Sequence, residues 1–153
     1  MIYRHPHIFG EQKADTADKV LQNWEELKKK EKNYKTQTEV MKNIPDALPA
    51  LTKAKKVQKK VRDVGFDFTD VKQALQKVHE ELYELEETLE QSQQKQEEEL
   101  GDLLFAVVNV SRFLQLNPEF ALTKAIKKFI NRFECVEQIA LMDKISLSDM
   151  TLE

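Results

Sequence analysis

The stretch that decides the fold runs from Thr69 to Leu116 and reads TDVKQALQKVHEELYELEETLEQSQQKQEEELGDLLFAVVNVSRFLQL. In its first half, apolar residues recur at intervals of three and four, which is the period of one helix face. These residues are Val71, Leu75, Val78, Leu82, Leu85 and Leu89. The pattern stops there and resumes in a different register at Leu100. We therefore expect a helix capped by Thr69, a turn near residue 93 and a second helix over about 96–116.

The second helix of this hairpin is apolar nearly all round from Leu103 to Val110, which predicts burial on several sides. Asp102 adjoins this run, and a buried carboxylate without a partner is costly. With Glu99 one turn before it and Asn109 two turns after it, Asp102 forms a polar seam on this helix. We expect the leucine stripe of the first helix to face the core. A single chain of this length cannot easily surround the second helix, so we also expect a homodimer.

The rest of the chain predicts further helices and almost no sheet. Only three Gly and four Pro occur, and charged residues make up 33%, a composition typical of helix-rich proteins. The expected segments are an irregular lead-in at 1–13, helices at 15–32, 48–64 and 117–142, a linker at 33–46 and a final incomplete turn at 146–153. Gly65 closes one helix, and Asn117 with Pro118 begins another. The fold class is therefore all-α, a bundle of about five helices.

Composition also excludes several classes of protein. No apolar run approaches the roughly 20 residues of a membrane span, and the N-terminus lacks the apolar stretch of a secretory signal. We expect no membrane partner. The single Cys135 cannot form a disulfide within the chain, which favours a reducing compartment. The cytoplasm is the expected location.

A basic run lies between residues 53 and 62 and consists of Lys53, Lys55, Lys56, Lys59, Lys60 and Arg62. One interpretation is a solvated helix face. Another is a flank that offsets the charge of the acidic segment or of bound phosphates. Nucleic-acid binding is disfavoured because the chain carries a net charge of −3 and has no aromatic residues interleaved there.

Acidic residues are concentrated in the predicted hairpin. Glu80, Glu81 and Glu84 occupy positions i, i+1 and i+4 of the first helix, and Glu99 and Asp102 occupy i and i+3 of the second. A turn near residue 93 brings the two sets together. So many carboxylates cannot all stay ionised without a cation, and hard oxygen ligands suit Mg²⁺ or Mn²⁺. The alternative for the three glutamates of the first helix is a solvent-facing surface.

The spaced pattern Glu80-Glu81-x-x-Glu84, fourteen residues, Glu99-x-x-Asp102 resembles the EExxE…ExxD signature of the MazG-like nucleotide pyrophosphohydrolases. The likeness extends to other motifs: VGFDF at 64–68, KVHEE at 77–81, ELGDLLFAVVN at 99–109, KFINRF at 128–133, and RHPHIFG at 4–10 with VLQNWE at 20–25. The resemblance covers about residues 4–150. It implies the C-terminal domain of a two-domain member with its preceding linker, divided as 1–46 for lead-in, helix and linker and 47–153 for the catalytic domain.

The resemblance implies an Mg²⁺-dependent enzyme, with Mn²⁺ as a substitute, that hydrolyses nucleoside triphosphates to the monophosphate and pyrophosphate. By the same likeness the metal ligands are Glu81, Glu84, Glu99 and Asp102. Glu80 or Glu81 acts in catalysis, with Glu80 as the candidate general base. The expected phosphate and substrate contacts are Lys77, Asn109, Lys128 and Arg132.

The sequence departs from the family at a few positions. Phe68 stands where the family usually has Trp, Ile130-Asn131 replace a charged pair, and the chain ends before the usual C-terminal Trp and Lys segment, as if truncated. One alternative function is therefore a helical dimerisation or interaction module that keeps the fold but has lost turnover. Another is a relative with one dedicated substrate, such as dUTP or phosphoribosyl-ATP.

Overall fold

The structure, a computed structural model, describes residues 34–149. It contains five α-helices, α1 (Gln37–Lys42), α2 (Ala50–Arg62), α3 (Val71–Glu87), α4 (Gln93–Phe113) and α5 (Pro118–Asp143), and a 3₁₀ turn at Leu147–Asp149. No strand occurs among these residues. The all-α prediction is therefore confirmed for the described part of the chain. The predicted lead-in at 1–13 and helix at 15–32 lie outside it.

The described residues form two compact units. One combines 34–46 with 56–67, and the other combines 47–55 with 68–149. Helix α2 contributes residues to both units. The division of the chain at residue 46 stays a prediction.

The linker predicted at 33–46 is wrong in part, because Gln37–Lys42 forms α1. The Thr36 hydroxyl accepts a hydrogen bond from the Glu39 backbone N–H at 3.2 Å, and the Glu39 carboxylate accepts one from the Lys35 N–H at 2.7 Å. This reciprocal arrangement satisfies two donors at the start of a helix. The Gln37 side chain also donates to the carbonyl of Lys60, so α1 is held within its unit.

The boundaries of the predicted helices are close to those observed. Helix α2 ends at Arg62, and Gly65 follows at φ 84°, a left-handed conformation that suits glycine in this turn. Helix α5 begins with Asn117 as the N-cap and Pro118 in its first turn, as predicted. The 3₁₀ turn agrees with the short final turn. No helix within 34–149 is both long and apolar enough to cross a membrane.

The cap predicted for α3 is wrong by one residue. Asp70, not Thr69, is the N-cap, and its carboxylate accepts from the N–H groups of Lys72 at 2.8 Å and Gln73 at 2.9 Å. A carboxylate at this position also interacts favourably with the positive end of the helix dipole, which a hydroxyl does less well. The Gln73 side chain completes the cap by accepting from the Thr69 N–H at 3.1 Å.

Helices α3 and α4 form the predicted hairpin and, among the described helices, are the pair that packs along its length. Side chains rather than Gly or Pro define the turn. Ser92 caps α4, and the Gln96 amide donates to the carbonyls of Thr88 at 3.1 Å and Leu89 at 3.0 Å. These hydrogen bonds connect the first turn of α4 to the two residues that follow α3, and they fix the register between the two helices.

The face that α3 buries differs from the one expected. Its buried residues are Ala74 and Glu81, with Thr88 just beyond its end, and these recur every seven residues. Leu82 is 42% exposed, and Leu75 and Leu89 are exposed as well. The apolar stripe that was expected to face the core is therefore divided. Val71, Val78 and Leu85 are half-buried, whereas the other three members are exposed.

Helix α4 is only partly covered by residues 34–149, as expected if one chain of this length cannot surround it. Ala106 and Val108 are buried, but Leu104 is 48% exposed and Phe105 and Val107 are similarly open. Asp102, which we expected to be buried beside this run, is exposed. The reason is that one helix, α3, covers one side of α4 in this unit. The other apolar sides of α4 face away from that contact.

Candidate metal centre

Three carboxylates from the two helices of the hairpin meet at one point. Glu81, Glu84 and Glu99 each offer an oxygen, and these oxygens all lie within 4.8 Å of one another. Glu81 is buried, whereas Glu84 and Glu99 are half-buried. The hairpin register that Gln96 fixes is what places Glu99 of α4 opposite the two glutamates of α3. We call these three residues the glutamate triad.

The dimensions of the glutamate triad suit a small divalent cation. Mg²⁺ binds oxygens at about 2.0–2.1 Å, so two oxygens on opposite sides of one ion are about 4.2 Å apart. The oxygens of the triad therefore need only small side-chain movements to share an ion. Carboxylates are also the ligands that Mg²⁺ and Mn²⁺ prefer. The residues present thus fit a metal, although clusters of acids also occur without one.

Electrostatic strain is concentrated on Glu84. Partial burial raises its pKa above the ordinary value, the charge of Glu81 raises it further, and Glu99 and Glu80 add smaller contributions in the same direction. Lys77 opposes them by stabilising the ionised form. Ionised Glu84 is therefore unfavourably placed in the folded chain, which is the situation that a bound cation would relieve.

Lys77 contacts the glutamate triad directly. Its Nζ lies 2.6 Å from Glu81 Oε1 and 2.7 Å from Glu80 Oε1. Hydrogen bonds to Glu80 and Glu81 raise the pKa of Lys77 well above its usual range, so the ammonium stays charged. The sequence predicted a phosphate contact for Lys77 but not this ion pair. The spacing of Lys77, Glu80 and Glu81 at i, i+3 and i+4 was the signal that could have revealed it.

The other predicted site residues are not members of the glutamate triad. Asp102 is on the same helix as Glu99, one turn on, and is exposed. Asn109 is half-buried, and its Oδ1 accepts from Arg112 Nε at 3.0 Å and from a terminal nitrogen of Arg112 at 2.7 Å. Arg112 was also missed, although it lies at i+3 from Asn109. Its guanidinium stacks on the ring of Phe113, 4.5 Å from the centroid.

Lys128 and Arg132 are exposed on α5. This helix does not pack along α3 or α4 as those two pack along each other. The structure of one chain therefore brings together Lys77, Glu80 and the glutamate triad, but does not bring Lys128 or Arg132 to them.

Comparison with known proteins places this site in a family. Residues 69–137, which contain α3, α4 and most of α5, match the MazG nucleotide pyrophosphohydrolase domain. The chain therefore carries a MazG domain. All three members of the glutamate triad lie within the matched residues. The family resemblance predicted from the spaced carboxylates is thus confirmed.

Two curated relatives extend the similarity beyond the MazG domain. The chain is 42% identical to the nucleoside triphosphate pyrophosphohydrolase of Escherichia coli, over 98% of this chain and 58% of that protein. It is 39% identical to the nucleoside triphosphate pyrophosphohydrolase/pyrophosphatase MazG of Thermotoga maritima, over 100% of this chain and 57% of that protein. The chain thus spans little more than half the length of these relatives.

The raised pKa of Glu84 in the MazG domain predicts a specific dependence of stability on pH. A carboxyl group whose pKa is raised by folding binds protons more tightly in the folded state. The contribution of this group to the free energy of unfolding is therefore present at acidic pH. It is lost as the pH rises from near 4.5, the ordinary pKa of the group, through the raised pKa of the folded state. In EDTA, Glu84→Gln should match the wild type at pH 4 and exceed it in stability at pH 7.

Chemical denaturation of both proteins across this pH range measures the effect. Glu90→Gln serves as the control, because Glu90 is exposed and outside the triad, and it should follow the wild type at every pH. This interpretation of the triad would be contradicted if Glu84→Gln were less stable than the wild type at pH 7. It would also be contradicted if the free energies of unfolding of the two proteins differed by the same amount at both pH values.

Proposed function

We propose that this chain hydrolyses nucleoside triphosphates to nucleoside monophosphates and pyrophosphate with the help of Mg²⁺, for which Mn²⁺ can substitute. The observation that carries this proposal is the glutamate triad, which joins the two helices at the centre of a MazG domain. The printed names of the Escherichia coli and Thermotoga maritima relatives support the same activity.

In this proposal Glu81, Glu84 and Glu99 hold the metal, and Asp102 joins them from one turn along α4. The bound metal would polarise phosphate oxygens and lower the pKa of the attacking water. Exposure of Asp102 leaves its side chain free to turn toward the cluster or toward a substrate.

The chain's own residues have separate tasks. The oxygen of a water molecule forms a bond to the α-phosphorus, the bond to the bridging oxygen breaks, and pyrophosphate leaves with that electron pair. Glu80 accepts the proton of the water as general base, with Glu81 as the alternative. Glu80 is well exposed at the edge of the cluster, which suits a residue that must exchange protons with solvent.

Cationic and polar side chains then offset the negative charge of the substrate. Lys77 lies at the cluster already. Lys128 and Arg132 are one turn apart on α5, and the planar guanidinium of Arg132 suits bidentate contact with a phosphate. The Asn109 amide, oriented by Arg112, offers hydrogen bonds to a part of the substrate farther along α4.

The single exposed free thiol of Cys135 accords with the cytoplasmic location expected from the sequence, since reducing conditions preserve such a group. A nucleotide hydrolase would also find its substrates there.

The proposed activity is tested by pyrophosphate release from a panel of nucleoside triphosphates with Mg²⁺. The wild type should release pyrophosphate, and Glu99→Gln should lower kcat/KM at least about a hundredfold because it removes a ligand from the triad. Asp102→Asn should cause a comparable loss if Asp102 is the fourth ligand. Glu90→Gln, which changes an exposed carboxylate outside the triad, should leave turnover unaltered.

Two outcomes would sink the proposal. Pyrophosphate release by Glu99→Gln at the wild-type rate would mean that the triad is not catalytic. No release from any substrate by a folded wild-type chain would favour the interaction module instead. Release from dUTP or phosphoribosyl-ATP alone would identify the dedicated-substrate alternative.

We also propose that the chain is a homodimer, because its helices expose apolar faces that the described residues 34–149 do not cover. The exposed apolar residues of α3 and α4 include Leu75, Leu82, Leu89, Leu100, Leu104, Phe105 and Val107. Those of α5 include Phe120, Leu122, Ile126, Phe129, Ile130, Phe133 and Ile139. Many exposed large apolar side chains are uncommon on monomers, and burial against a second copy would remove them from water.

Sedimentation measures the oligomeric state directly. At micromolar concentration the wild type should sediment at twice the chain mass of 17.9 kDa. Leu104→Glu should give a monomer, because it places a charge in the apolar face of α4. Gln94→Glu adds the same charge at a polar, exposed position of that helix and should remain dimeric. A wild-type monomer would contradict the proposal.

A further inference from the structure

The ion pair between Lys77 and Glu81 shares an acidic group with the glutamate triad. Glu81 is the most enclosed member, since its side chain is only 8% exposed, and Lys77 Nζ approaches it to 2.6 Å. Glu80 holds the same ammonium from the other side at 2.7 Å. The Lys77 side chain is 35% exposed, so the ammonium lies between the buried carboxylate and the solvent.

A lysine ammonium and a divalent metal ion place competing demands on Glu81. Both are cations that seek carboxylate oxygens, and bound to one carboxylate they would repel each other at short range. The ammonium is a compact charge on a flexible stem with several rotatable bonds, so it can leave Glu81 without any change in the backbone. Glu81, held within the α3–α4 contact, has less freedom to move.

We propose that Lys77 is an internal counter-ion that competes with the divalent metal for Glu81, so that metal binding releases its ammonium toward the solvent side of the cluster. This inference rests on the metal site of the proposed function. It adds that the Lys77 ammonium partly neutralises the clustered carboxylates before the metal binds. Once a metal replaces it there, the lysine becomes available to the phosphates of the substrate.

Two other roles for Lys77 predict different results. If the ion pair orients Glu81 for the metal, loss of the ammonium should weaken metal binding. If Lys77 contacts only the substrate, its loss should leave metal affinity unchanged when no nucleotide is present. Competition alone predicts that metal binds more tightly after the charge is removed. The direction of the change in affinity therefore distinguishes the three roles.

Calorimetric titration of the full chain with Mn²⁺ in the absence of nucleotide tests the proposal. Lys77→Met should lower the Kd for Mn²⁺ at least about tenfold, because a like charge next to a binding group shifts its affinity for a cation by one or more powers of ten. Lys77→Arg retains the charge and should bind Mn²⁺ with nearly the wild-type Kd. Lys77→Gln removes the charge but keeps a polar side chain, and should shift the Kd in the same direction as Lys77→Met.

Lys95→Met is the matched control. Lys95 forms an ion pair with Glu98 on α4 at 2.9 Å, with the i, i+3 spacing of Lys77 and Glu80, and Glu98 is outside the triad. Lys95 acts on Glu99 only through its charge at longer range. Its loss should change the Kd for Mn²⁺ by no more than about twofold, since exposed ion pairs contribute little. Circular dichroism and thermal melting in EDTA establish that each variant is folded. If Lys77→Met does not fold without metal, the comparison of Lys77→Gln with Lys77→Arg supplies the result.

Steady-state kinetics adds a second readout. Lys77→Met should raise the KM for the nucleoside triphosphate even as it tightens Mn²⁺ binding, because the released ammonium is then missing from the substrate. If the wild type binds Mn²⁺ and Lys77→Met binds it with the same or a weaker affinity, the proposal is overturned. The metal site itself would then stand. Failure of every variant and of the wild type to bind Mn²⁺ would overturn the metal site, and this proposal with it.

Discussion

The close approach of like charges across the α3–α4 hairpin is the constraint on which the other features of this chain depend. Glu81, Glu84 and Glu99 have oxygens within 4.8 Å of one another, at a point where Glu81 is nearly enclosed. Such an arrangement costs free energy unless a cation is present, and partial burial together with the charge of Glu81 raises the pKa of Glu84. The Lys77 ammonium offsets part of it. Helix caps and the Gln96 hydrogen bonds hold the two helices in the register that brings the carboxylates together.

The same constraint explains the uneven distribution of apolar residues. Helix α3 buries Ala74 and Glu81, whereas the leucines at 75, 82 and 89 are exposed. Helix α4 likewise has apolar residues on more sides than α3 can cover. A chain that places charge inside a helix pair must bury its apolar faces elsewhere, and a second copy is the partner we propose for them.

Much of this organisation could be predicted from the sequence. The three- and four-residue period of Val71 to Leu89 marked α3, and Asn117 with Pro118 marked the start of α5. The spacing of the acidic residues predicted a cluster of Glu80, Glu81, Glu84, Glu99 and Asp102, of which Glu81, Glu84 and Glu99 have oxygens within 4.8 Å of one another. These features depend on neighbours along the chain, and local spacing determines them through the geometry of one helix or one hairpin.

Features that depend on competition between partners were harder to predict. Asp70 and Thr69 can both cap α3, and the carboxylate is the one that does so. An apolar run such as Leu103 to Val110 indicates burial but not which molecule provides it, so Asp102 and Leu104 proved exposed within one chain. The helix at Gln37–Lys42 is short and polar. It depends on side-chain hydrogen bonds, which the spacing of apolar residues along the sequence does not reveal.

The central claim is that the carboxylates of α3 and α4 face each other in order to hold a divalent cation. The most direct measurement is an anomalous difference map from crystals of the chain grown with Mn²⁺, with data collected at the manganese absorption edge. This account predicts a peak within coordination distance of Glu81, Glu84 and Glu99, with the Lys77 ammonium moved away from Glu81. A manganese peak elsewhere, or a triad that binds no ion while Lys77 remains on Glu81, would contradict it.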